Sequence, residues 1–252
     1  MTIRVAVAGA TGKMGRLAER LIEGADDLEP HASLDSSTPL EGMRGADVLF
    51  DVTSPAASPD IVRYAVDAGI PVVVGTSGWT SERIAGIRRL VTAELEAGRR
   101  GAVLFVPNFS LGSVLGTAFA RIAAPFYASI EIIEAHHAGK TDSPSGTATR
   151  TAELIGDARR EAGPVAAPHA DQRARGQLVA GVPVHSLRMD GLLARQDVVL
   201  GGAGETLTLT HTTLSEDSYA AGILHALRTA PTAEGVSVGL DAILDLGLGT
   251  GA

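Results

Sequence analysis

The densest group of polar side chains in this 252-residue sequence lies between residues 134 and 147, directly after an apolar run. It contains the adjacent histidines His136 and His137, then Lys140, then a hydroxyl-rich segment. Histidine exchanges protons near neutral pH, and lysine contributes a positive charge, so the stretch favours acid–base chemistry beside an anion. One alternative is a zinc site, which lacks support because there is no helical H-x-x-x-H pair and no cysteine. The other is a hydrated loop with one structural histidine.

A helix is expected to begin at the end of this stretch. Ser145, Gly146 and Thr147 stand immediately before or within a run with helical periodicity. The N–H groups at a helix N-terminus attract anions, and the two hydroxyl groups add donors. The sequence therefore predicts a carboxylate-binding pocket beside the histidines, without a metal ion.

A second candidate site lies near the N-terminus, where the apolar run Ile3–Ala8 leads into three glycines. Gly9, Gly12 and Gly15 have the spacing G-x-x-G-x-x-G, whereas the usual dinucleotide-binding pattern is G-x-G-x-x-G. Glycines at such a strand-to-helix turn let the backbone approach a pyrophosphate, although a tight turn without a ligand is the alternative. Asp35 follows about 20 residues after Gly15, the interval at which an acid binds the ribose hydroxyls.

The residues after Asp35 bear on the choice of dinucleotide. They are Ser36 and Ser37, and neither can neutralise a 2′-phosphate. We therefore predict NADH in preference to NADPH, although Lys13 or Arg16 could also reach a phosphate. A solvated turn residue is the alternative for Asp35.

Two later turns are candidates for the remaining walls of a dinucleotide site. The segment Gly75–Ser77 follows a buried strand, and ligands of parallel sheets bind at the carboxyl ends of the strands. Pro107, Asn108 and Phe109 follow the last strand of the same series, where Asn108 could bond a nicotinamide carboxamide. Taken alone, either turn is equally compatible with an ordinary loop.

The elements that must position these residues change character near Pro107. Before it, fully apolar strands alternate with helical stretches, which predicts a parallel sheet covered on both faces. After it, the segments Val182–Met189, Asp197–Leu200 and Thr206–Thr213 predict antiparallel or mixed sheet, and residues 163–176 predict a surface loop. The expected fold is α/β, with a Rossmann-type parallel-sheet nucleotide domain and a smaller α+β substrate domain that carries a mixed or antiparallel sheet.

Two helix starts are predicted from capping residues. Ser58 precedes Pro59 and is expected to be an N-cap, with the proline at the first helical position. Ser215 is expected to cap a helix that runs through about Arg228.

Composition excludes several classes of protein. The chain has no cysteine, so it has no disulfide, thiolate zinc site or thiol nucleophile. Its 21 basic and 29 acidic residues give a net charge of −8, which argues against nucleic acid or an anionic membrane as the main partner. No apolar run reaches the ~18 residues of a spanning helix, and the first is too short for a signal peptide. We therefore expect a cytoplasmic protein with a small-molecule ligand.

Several motifs together resemble the dihydrodipicolinate reductase family. The most specific is His136-His137-x-x-Lys140-x-Asp142-x-Pro144-Ser145-Gly146-Thr147-Ala148. Four others occur in the family's order: Gly9-Ala10-Thr11-Gly12-Lys13-Met14-Gly15, Gly75-Thr76-Ser77-Gly78, Pro107-Asn108-Phe109 and Gly181-Val182-Pro183-Val184-His185-Ser186-Leu187-Arg188. A fifth is Gly204-Glu205-Thr206-Leu207, so the resemblance extends over nearly the whole chain.

The resemblance implies hydride transfer from NADH or NADPH to C4 of a cyclic dicarboxylate imine. In this family, 4-hydroxy-tetrahydrodipicolinate is reduced to tetrahydrodipicolinate in the diaminopimelate pathway of lysine biosynthesis. By the same resemblance His136 exchanges a proton with the substrate and Lys140 is a second donor, while a substrate carboxylate is held by His137, Gly146 and Thr147. The residues expected to hold the cofactor are Gly9, Ala10, Thr11, Gly12, Lys13, Met14, Gly15, Asp35, Gly75, Thr76, Ser77, Val106, Pro107, Asn108 and Phe109.

The resemblance also implies a domain division and an assembly. Residues 1–107 plus 216–252 would form the dinucleotide-binding domain, and residues 108–215 the substrate-binding and tetramerisation domain of a homotetramer. Two positions depart from the family pattern. Gly139 stands where many members carry a third histidine, and Ser77 stands where threonine is usual.

Three other kinds of protein are alternatives to this family. Aspartate-semialdehyde dehydrogenase requires a cysteine nucleophile, which this chain lacks. A homoserine-dehydrogenase-like or diaminopimelate-dehydrogenase-like enzyme agrees with the composition but does not explain His136 and His137. A module that binds NAD without turnover is the alternative from a different functional class.

Overall fold

The computed structural model of the chain describes residues 2–244. Within this range the strands are β1 (Ile3–Ala8), β2 (Leu28–Leu34), β3 (Val48–Asp51), β4 (Val72–Val74), β5 (Ala102–Phe105), β6 (Ser129–His136), β7 (Gln177–Val179), β8 (Val182–Arg188), β9 (Ala194–Gly202), β10 (Glu205–Thr213) and β11 (Gly235–Val238). The helices are α1 (Lys13–Glu23), α2 (Ser58–Asp67), α3 (Ser81–Glu96), α4 (Leu111–Ala123), α5 (Gly146–Ala158) and α6 (Ala220–Thr229).

The chain divides into two compact units. The first unit comprises residues 2–110 and 219–244 of the described chain, and the second unit is Leu111–Ser218. The sequence placed the divisions slightly earlier, at 107/108 and 215/216. Residues 1 and 245–252 of the expected dinucleotide-binding domain lie outside the described residues.

The first unit contains a six-stranded sheet in the order β11-β5-β4-β3-β1-β2, and every neighbouring pair is parallel. Strands β3, β4 and β5 are buried along their whole length, as expected for a parallel sheet covered on both faces. One face packs against α2 and α3 through side chains such as Val62, Val66 and Val91. Helices α1 and α6 pack against each other, and their buried residues include Leu17 and Ile223.

The segment after residue 218 belongs to the same sheet. Strand β11 pairs in parallel with β5, from Gly235 opposite Ala102 to Val238 opposite Phe105. Arg228 on α6 forms a bidentate ion pair with Asp27, which lies in the turn between α1 and β2. The last part of the described chain therefore completes the first unit.

The second unit contains a five-stranded sheet in the order β10-β9-β6-β8-β7. Only the β6–β8 pair is parallel, and the other neighbours are antiparallel. Its core joins β6 residues Ile130 and Ile132 to α5 residues Ala152 and Ile155. The two sheets confirm the predicted α/β fold class, with one Rossmann-type parallel sheet and one mixed sheet in a smaller α+β unit.

Two local expectations were wrong or incomplete, and one strand was not predicted. Ser58 is not an N-cap, since it is the first residue of α2 and its hydroxyl donates to the buried carboxylate of Asp51. The segment after Ser215 begins as a 3₁₀ turn over Glu216–Tyr219, and α6 starts only at Ala220. Strand β2 was not predicted because it is a polar edge strand that contains Pro30, and its register against β1 shifts by one residue between Pro30 and Ala32.

None of the helices within residues 2–244 is long and apolar enough to cross a membrane.

Candidate active site

The carboxyl edge of the first sheet gathers the residues predicted to bind a dinucleotide. Strand β1 has β2 on one side and β3 on the other, so the strand order reverses at β1. Ligands of open α/β sheets bind outside the carboxyl ends of the strands at such a reversal. Backbone hydrogen bonds join the strand ends: the N–H of Gly9 donates to Leu34, that of Val52 to Ala8, and that of Gly75 to Asp51.

The glycine turn after β1 requires small residues at two positions. Gly9 has a φ of +86°, and a Cβ there would lie 2.6 Å from the carbonyl oxygen of Val52. A Cβ on Gly15 would lie 2.2 Å from the carbonyl oxygen of Gly9. These two glycines let α1 begin close against the ends of β1 and β3.

The N-terminus of α1 is suited to an anion. Its N-cap is Gly12, which provides no side-chain hydrogen bond, and its first turn contains no acidic residue. Thr11, Gly12 and Lys13 are exposed, while Ala10 and Gly15 are buried and Met14 is intermediate. Helix N-terminal N–H groups in this arrangement bind phosphates, so the turn fits the pyrophosphate of a dinucleotide.

Asp35 lies directly after β2 on the same edge and is exposed. Its Oδ1 accepts hydrogen bonds from the Ser37 N–H at 2.9 Å, the Ser37 hydroxyl at 2.7 Å and the Thr38 hydroxyl at 2.9 Å. These bonds hold the pKa of Asp35 below its ordinary value, and the bond from the Ser37 hydroxyl has the largest effect. Within residues 2–244, Oδ2 has no hydrogen-bond partner, which leaves that oxygen to accept from a ligand hydroxyl.

The turns after β4 and β5 lie against each other. A Cβ on Gly75 would lie 2.8 Å from the ring of Phe109, and the Phe109 ring meets the Phe50 ring edge-on at 5.5 Å. The side chain of Asn108 accepts a hydrogen bond from the Ser110 N–H at 2.9 Å, which fixes the turn that includes Val106 and Pro107. The hydroxyl of Thr76 donates to Asp51, and Ser77 is exposed at the surface.

In the second unit, the polar stretch begins at the end of β6. His136 is the last residue of that strand, and its Nδ1 lies 2.6 Å from Oε2 of Glu134. The Glu134 side chain is fully buried, because strand alternation places it on the core face with Ile130 and Ile132. Within the described chain, Nε2 of His136 has no partner, so it is the ring nitrogen that can exchange a proton with a ligand.

Burial lowers the pKa of His136, and the hydrogen bond and charge of Glu134 oppose that effect only in part. Burial alone would raise the pKa of Glu134. Hydrogen bonds from Arg188, Ser186 and His136 outweigh burial and hold the pKa of Glu134 below its ordinary value. Glu134 therefore presents an acceptor to the histidine.

Arg188 completes this buried group from the neighbouring strand. The parallel register of β6 and β8 places Arg188 opposite His136. Its two terminal nitrogens bind the two oxygens of Glu134, each at 2.9 Å, and one of them also donates to the Asp142 carbonyl at 2.6 Å. Arg188 thus joins the strand that carries His136 to the loop that carries Lys140.

That loop holds Lys140 near its acidic neighbour. The Lys140 ammonium donates to Asp142 at 2.7 Å, and the Lys140 N–H closes a turn onto the His137 carbonyl at 3.1 Å. An ammonium has three donors, so this pairing leaves others for a ligand. His137 is exposed, and a Cβ on Gly139 would lie 3.3 Å from its ring.

Helix α5 begins at Gly146, directly after the loop. Ser145 is its N-cap: the side-chain oxygen accepts from the Ala148 N–H at 3.2 Å, and the Ser145 N–H donates to Glu134 at 3.2 Å. Gly146 is exposed and Thr147 is half-buried in the first turn. The N-terminus of α5 is therefore tied to the carboxylate that contacts His136, which brings the predicted catalytic and carboxylate-binding residues together.

Sequence reasoning gave no role to Glu134, Arg188 or Asp142. The signal for Glu134 was the alternation along β6, since a carboxylate in the apolar series Ile130, Ile132 needs a buried partner. Nothing local to residues 134–147 indicates Arg188, because the pairing of β6 with β8 determines that contact. Between residues 2 and 244, no group of three histidine or acidic side chains could hold a metal ion.

Comparison with known proteins points to one family. Residues 3–109 match the family model described as dihydrodipicolinate reductase, N-terminus, and residues 112–244 match the model of its C-terminus. A 4-hydroxy-tetrahydrodipicolinate reductase of Clavibacter sepedonicus is 58% identical over 246 residues, covering 98% of this chain and 87% of that protein. One from Streptomyces coelicolor is 47% identical over 250 residues, covering 97% and 98%.

A solved structure agrees with these relatives. It is the dipicolinate-bound dihydrodipicolinate reductase from Paenisporosarcina sp. TG-14, which is 31% identical to this chain. The match covers 97% of this chain and 100% of that one, with a TM-score of 0.84.

Proposed function

Because the chain belongs to the dihydrodipicolinate reductase family, we propose individual roles for its residues in the family's reaction. The protein is an oxidoreductase that reduces 4-hydroxy-tetrahydrodipicolinate to tetrahydrodipicolinate in the diaminopimelate pathway of lysine biosynthesis. It depends on a pyridine nucleotide, which supplies a hydride when bound.

His136 is the residue that exchanges a proton with the substrate through Nε2. The contact of 2.6 Å between its Nδ1 and the buried Glu134 is the observation that carries this assignment. A carboxylate on one ring nitrogen fixes the tautomer and the orientation of the imidazole, and it stabilises the imidazolium when a proton arrives. Arg188 keeps Glu134 in place.

The substrate carries two carboxylates, and the second unit offers several groups of suitable charge. Lys140 provides a positive charge and a second donor near the imine nitrogen, with Asp142 holding its ammonium. The α5 N-terminus, with Ser145, Gly146 and Thr147, holds one carboxylate together with His137.

The dinucleotide is held by the first unit. The turn from Gly9 to Gly15 binds the pyrophosphate, Asp35 binds the ribose hydroxyls, and the turns at Gly75–Ser77 and Val106–Phe109 form the nicotinamide end. NADH is the preferred form, because Oδ2 of Asp35 suits a ribose hydroxyl and its charge repels a 2′-phosphate. The residues after it, Ser36 and Ser37, provide no compensating cation.

The active protein is a homotetramer joined through the sheets of the second unit. Ile133 on β6 and Leu187 on β8 are exposed apolar side chains on neighbouring strands, which supports an interface on that face. Light scattering of the purified protein tests the assembly, and a monomeric mass contradicts it. We place the enzyme in the cytoplasm, where metabolism regenerates the reduced nucleotide.

Steady-state oxidation of each reduced nucleotide in the presence of the ring substrate tests the cofactor assignment. The expected result is turnover with both and a higher kcat/KM with NADH. A higher kcat/KM with NADPH contradicts the role given to Asp35.

A further inference from the structure

The carboxyl end of β3 carries a charged residue with no role in the reaction as described so far. Asp51 is the last residue of β3, and its relative exposure is 0%. None of the ion pairs formed by residues 2–244 includes it. A buried carboxylate is costly unless several donors replace its water, so its presence at this edge requires an explanation.

One oxygen of Asp51 binds the turns after two neighbouring strands. Its Oδ1 accepts from the Thr53 N–H at 3.1 Å and from the Thr53 hydroxyl at 2.6 Å. The same oxygen accepts from the Thr76 hydroxyl at 3.1 Å, and the Asp51 backbone carbonyl accepts from the Gly75 N–H at 2.8 Å. Asp51 thereby fixes the turn after β4 against the turn after β3.

The other oxygen of Asp51 reaches the start of α2. Its Oδ2 accepts from the hydroxyl of Ser58, which is fully buried. The Ser58 oxygen in turn accepts from the indole N–H of Trp79 at 3.0 Å. Trp79 is the single tryptophan of the chain, and it stands two residues after Ser77, so the chain of hydrogen bonds returns to the turn after β4.

The segment that Asp51 holds also contacts the glycine turn after β1. The Val52 carbonyl oxygen occupies the space that a Cβ on Gly9 would need, and a Val52 methyl group lies 2.9 Å from the Cβ position of Gly75. The residues after β3 therefore lie between two turns to which we assign dinucleotide binding.

We propose that Asp51 is a positioning residue for the dinucleotide. By accepting hydrogen bonds from the hydroxyls of Thr76, Thr53 and Ser58, Asp51 fixes the turn at Gly75–Ser77 in the position in which this turn contacts the cofactor. This inference rests on the proposed cofactor site. An apolar side chain could fill the same volume between β3 and α2, but it could not set the hydroxyl orientation of Thr76.

The test compares Asp51→Asn, Thr76→Val, Thr76→Ser and the double variant Asp51→Asn/Thr76→Val with wild type. Thr76→Val removes the hydroxyl and keeps the branched shape, and Thr76→Ser retains the hydroxyl. The matched controls are Asp27→Asn, which removes a surface carboxylate of the same unit, and Thr229→Val, which removes a hydroxyl bonded within α6. For each protein we would measure kcat, KM for NADH and for the ring substrate, thermal unfolding, and Trp79 emission during NADH titration.

The expected result is a rise of about tenfold in KM for NADH in Asp51→Asn, the size expected from one hydrogen bond to a charged group. KM for the ring substrate stays within about twofold, since no contact of that substrate is assigned to the first unit. Thr76→Val shows part of the rise, Thr76→Ser shows a smaller rise than Thr76→Val because it keeps the hydroxyl, and the double variant is no worse than Asp51→Asn alone. The controls bind NADH as wild type does.

Other outcomes overturn the proposal. If Asp51→Asn lowers the unfolding temperature but leaves KM for NADH and the Trp79 titration unchanged, its role is structural only. If the effects of Asp51→Asn and Thr76→Val multiply, Thr76 acts independently of Asp51. If Asp51→Asn does not fold, a wild-type KM in Thr76→Val overturns the proposal. If the wild-type chain itself binds no NADH or NADPH, the assigned cofactor site is wrong as well, which separates the two failures.

Discussion

Glu134 and His136 form a buried carboxylate–imidazole pair, with 2.6 Å between Oε2 and Nδ1. They are two residues apart on β6, so strand alternation places both side chains on the same face. The carboxylate is completely buried and the imidazole is largely buried. This pair distinguishes His136 from its exposed neighbour His137, which is the first residue after β6.

Replacing Glu134 by glutamine should alter the pH dependence of the enzyme. The hydrogen bond and charge of Glu134 raise the pKa of His136 against the stronger effect of burial. Without that charge the pKa of His136 falls further, so the inflection of the kcat/KM profile that reports His136 moves to lower pH, and kcat decreases. The profile should be measured with saturating NADH.

Glu94→Gln is the matched control for this change. Glu94 is a buried carboxylate of the first unit that two nitrogens of Arg99 bind, and no ligand contact is assigned to it. Its profile should coincide with that of wild type. An unshifted inflection in Glu134→Gln would show that Glu134 does not act on the titrating group.

Acidification should destabilise the second unit in two steps. The pKa of His136 and that of His211 lie below the ordinary 6.5, in both cases because of burial, so the unfolded state binds their protons first. Stability from these groups is complete above pH 6.5 and decreases as the pH falls towards their folded pKa values. Glu134, with a pKa below 4.5, adds a further loss at lower pH. Urea unfolding at a series of pH values measures this, and a free energy of unfolding that is constant from pH 7 to pH 4 contradicts it.

Removing the Asp35 carboxylate should change the choice of nucleotide. In Asp35→Ala, KM for NADH rises by about tenfold, because the ribose loses an acceptor that carries charge. KM for NADPH changes less or falls, since the repulsion of the 2′-phosphate is removed. Asp27→Ala, a surface acid paired with Arg228, is the control and should leave both constants unchanged. Equal KM values for NADH in Asp35→Ala and wild type would remove the basis of the predicted preference.

A substitution in the glycine turn after β1 should affect both the stability of the protein and its binding of NADH. Gly15→Ala places a methyl group 2.2 Å from the Gly9 carbonyl oxygen, so the turn must move. We expect a loss of about 1–3 kcal/mol in the free energy of unfolding and weaker NADH binding. Gly86→Ala, within α3 and with its nearest neighbour 3.9 Å away, should instead gain about 0.5–1 kcal/mol. Denaturant unfolding of both variants measures the contrast, and equal effects contradict it.

The sequence was sufficient to predict those elements whose burial and periodicity agree. Strands β1, β3 and β5 are short, apolar and bounded by turn residues, so the parallel sheet was predictable. Strand β2 was not, because its sequence LEPHASL has no apolar alternation and contains a proline. Residues 28–34 form a strand because they pair with β1 at the edge of the sheet, and their own composition does not indicate this pairing.

In the candidate site too, some residues could be predicted from the sequence and others could not. Histidine, lysine and helix-start residues are contiguous between 136 and 147, so local reading found them. Contacts that depend on strand register could not be predicted from neighbouring residues: Arg188 binds Glu134 across a separation of 54 residues. Ser58 was misread as a cap for the same reason, since its actual acceptor, Asp51, is a buried residue on another element.

The proton-exchange role of His136 is tested by comparing His136→Gln with wild type in steady-state NADH oxidation with the ring substrate, together with Trp79 emission during NADH titration. We predict that turnover falls by about 10²–10⁴-fold, the usual contribution of a general acid–base residue, while NADH binding remains unchanged and the variant still unfolds in a single cooperative thermal transition. His31→Gln, which alters a histidine of the first unit bonded to the Arg44 carbonyl, should retain wild-type turnover. Wild-type turnover in His136→Gln would contradict the proton-exchange role of His136, as would an equal loss in His31→Gln.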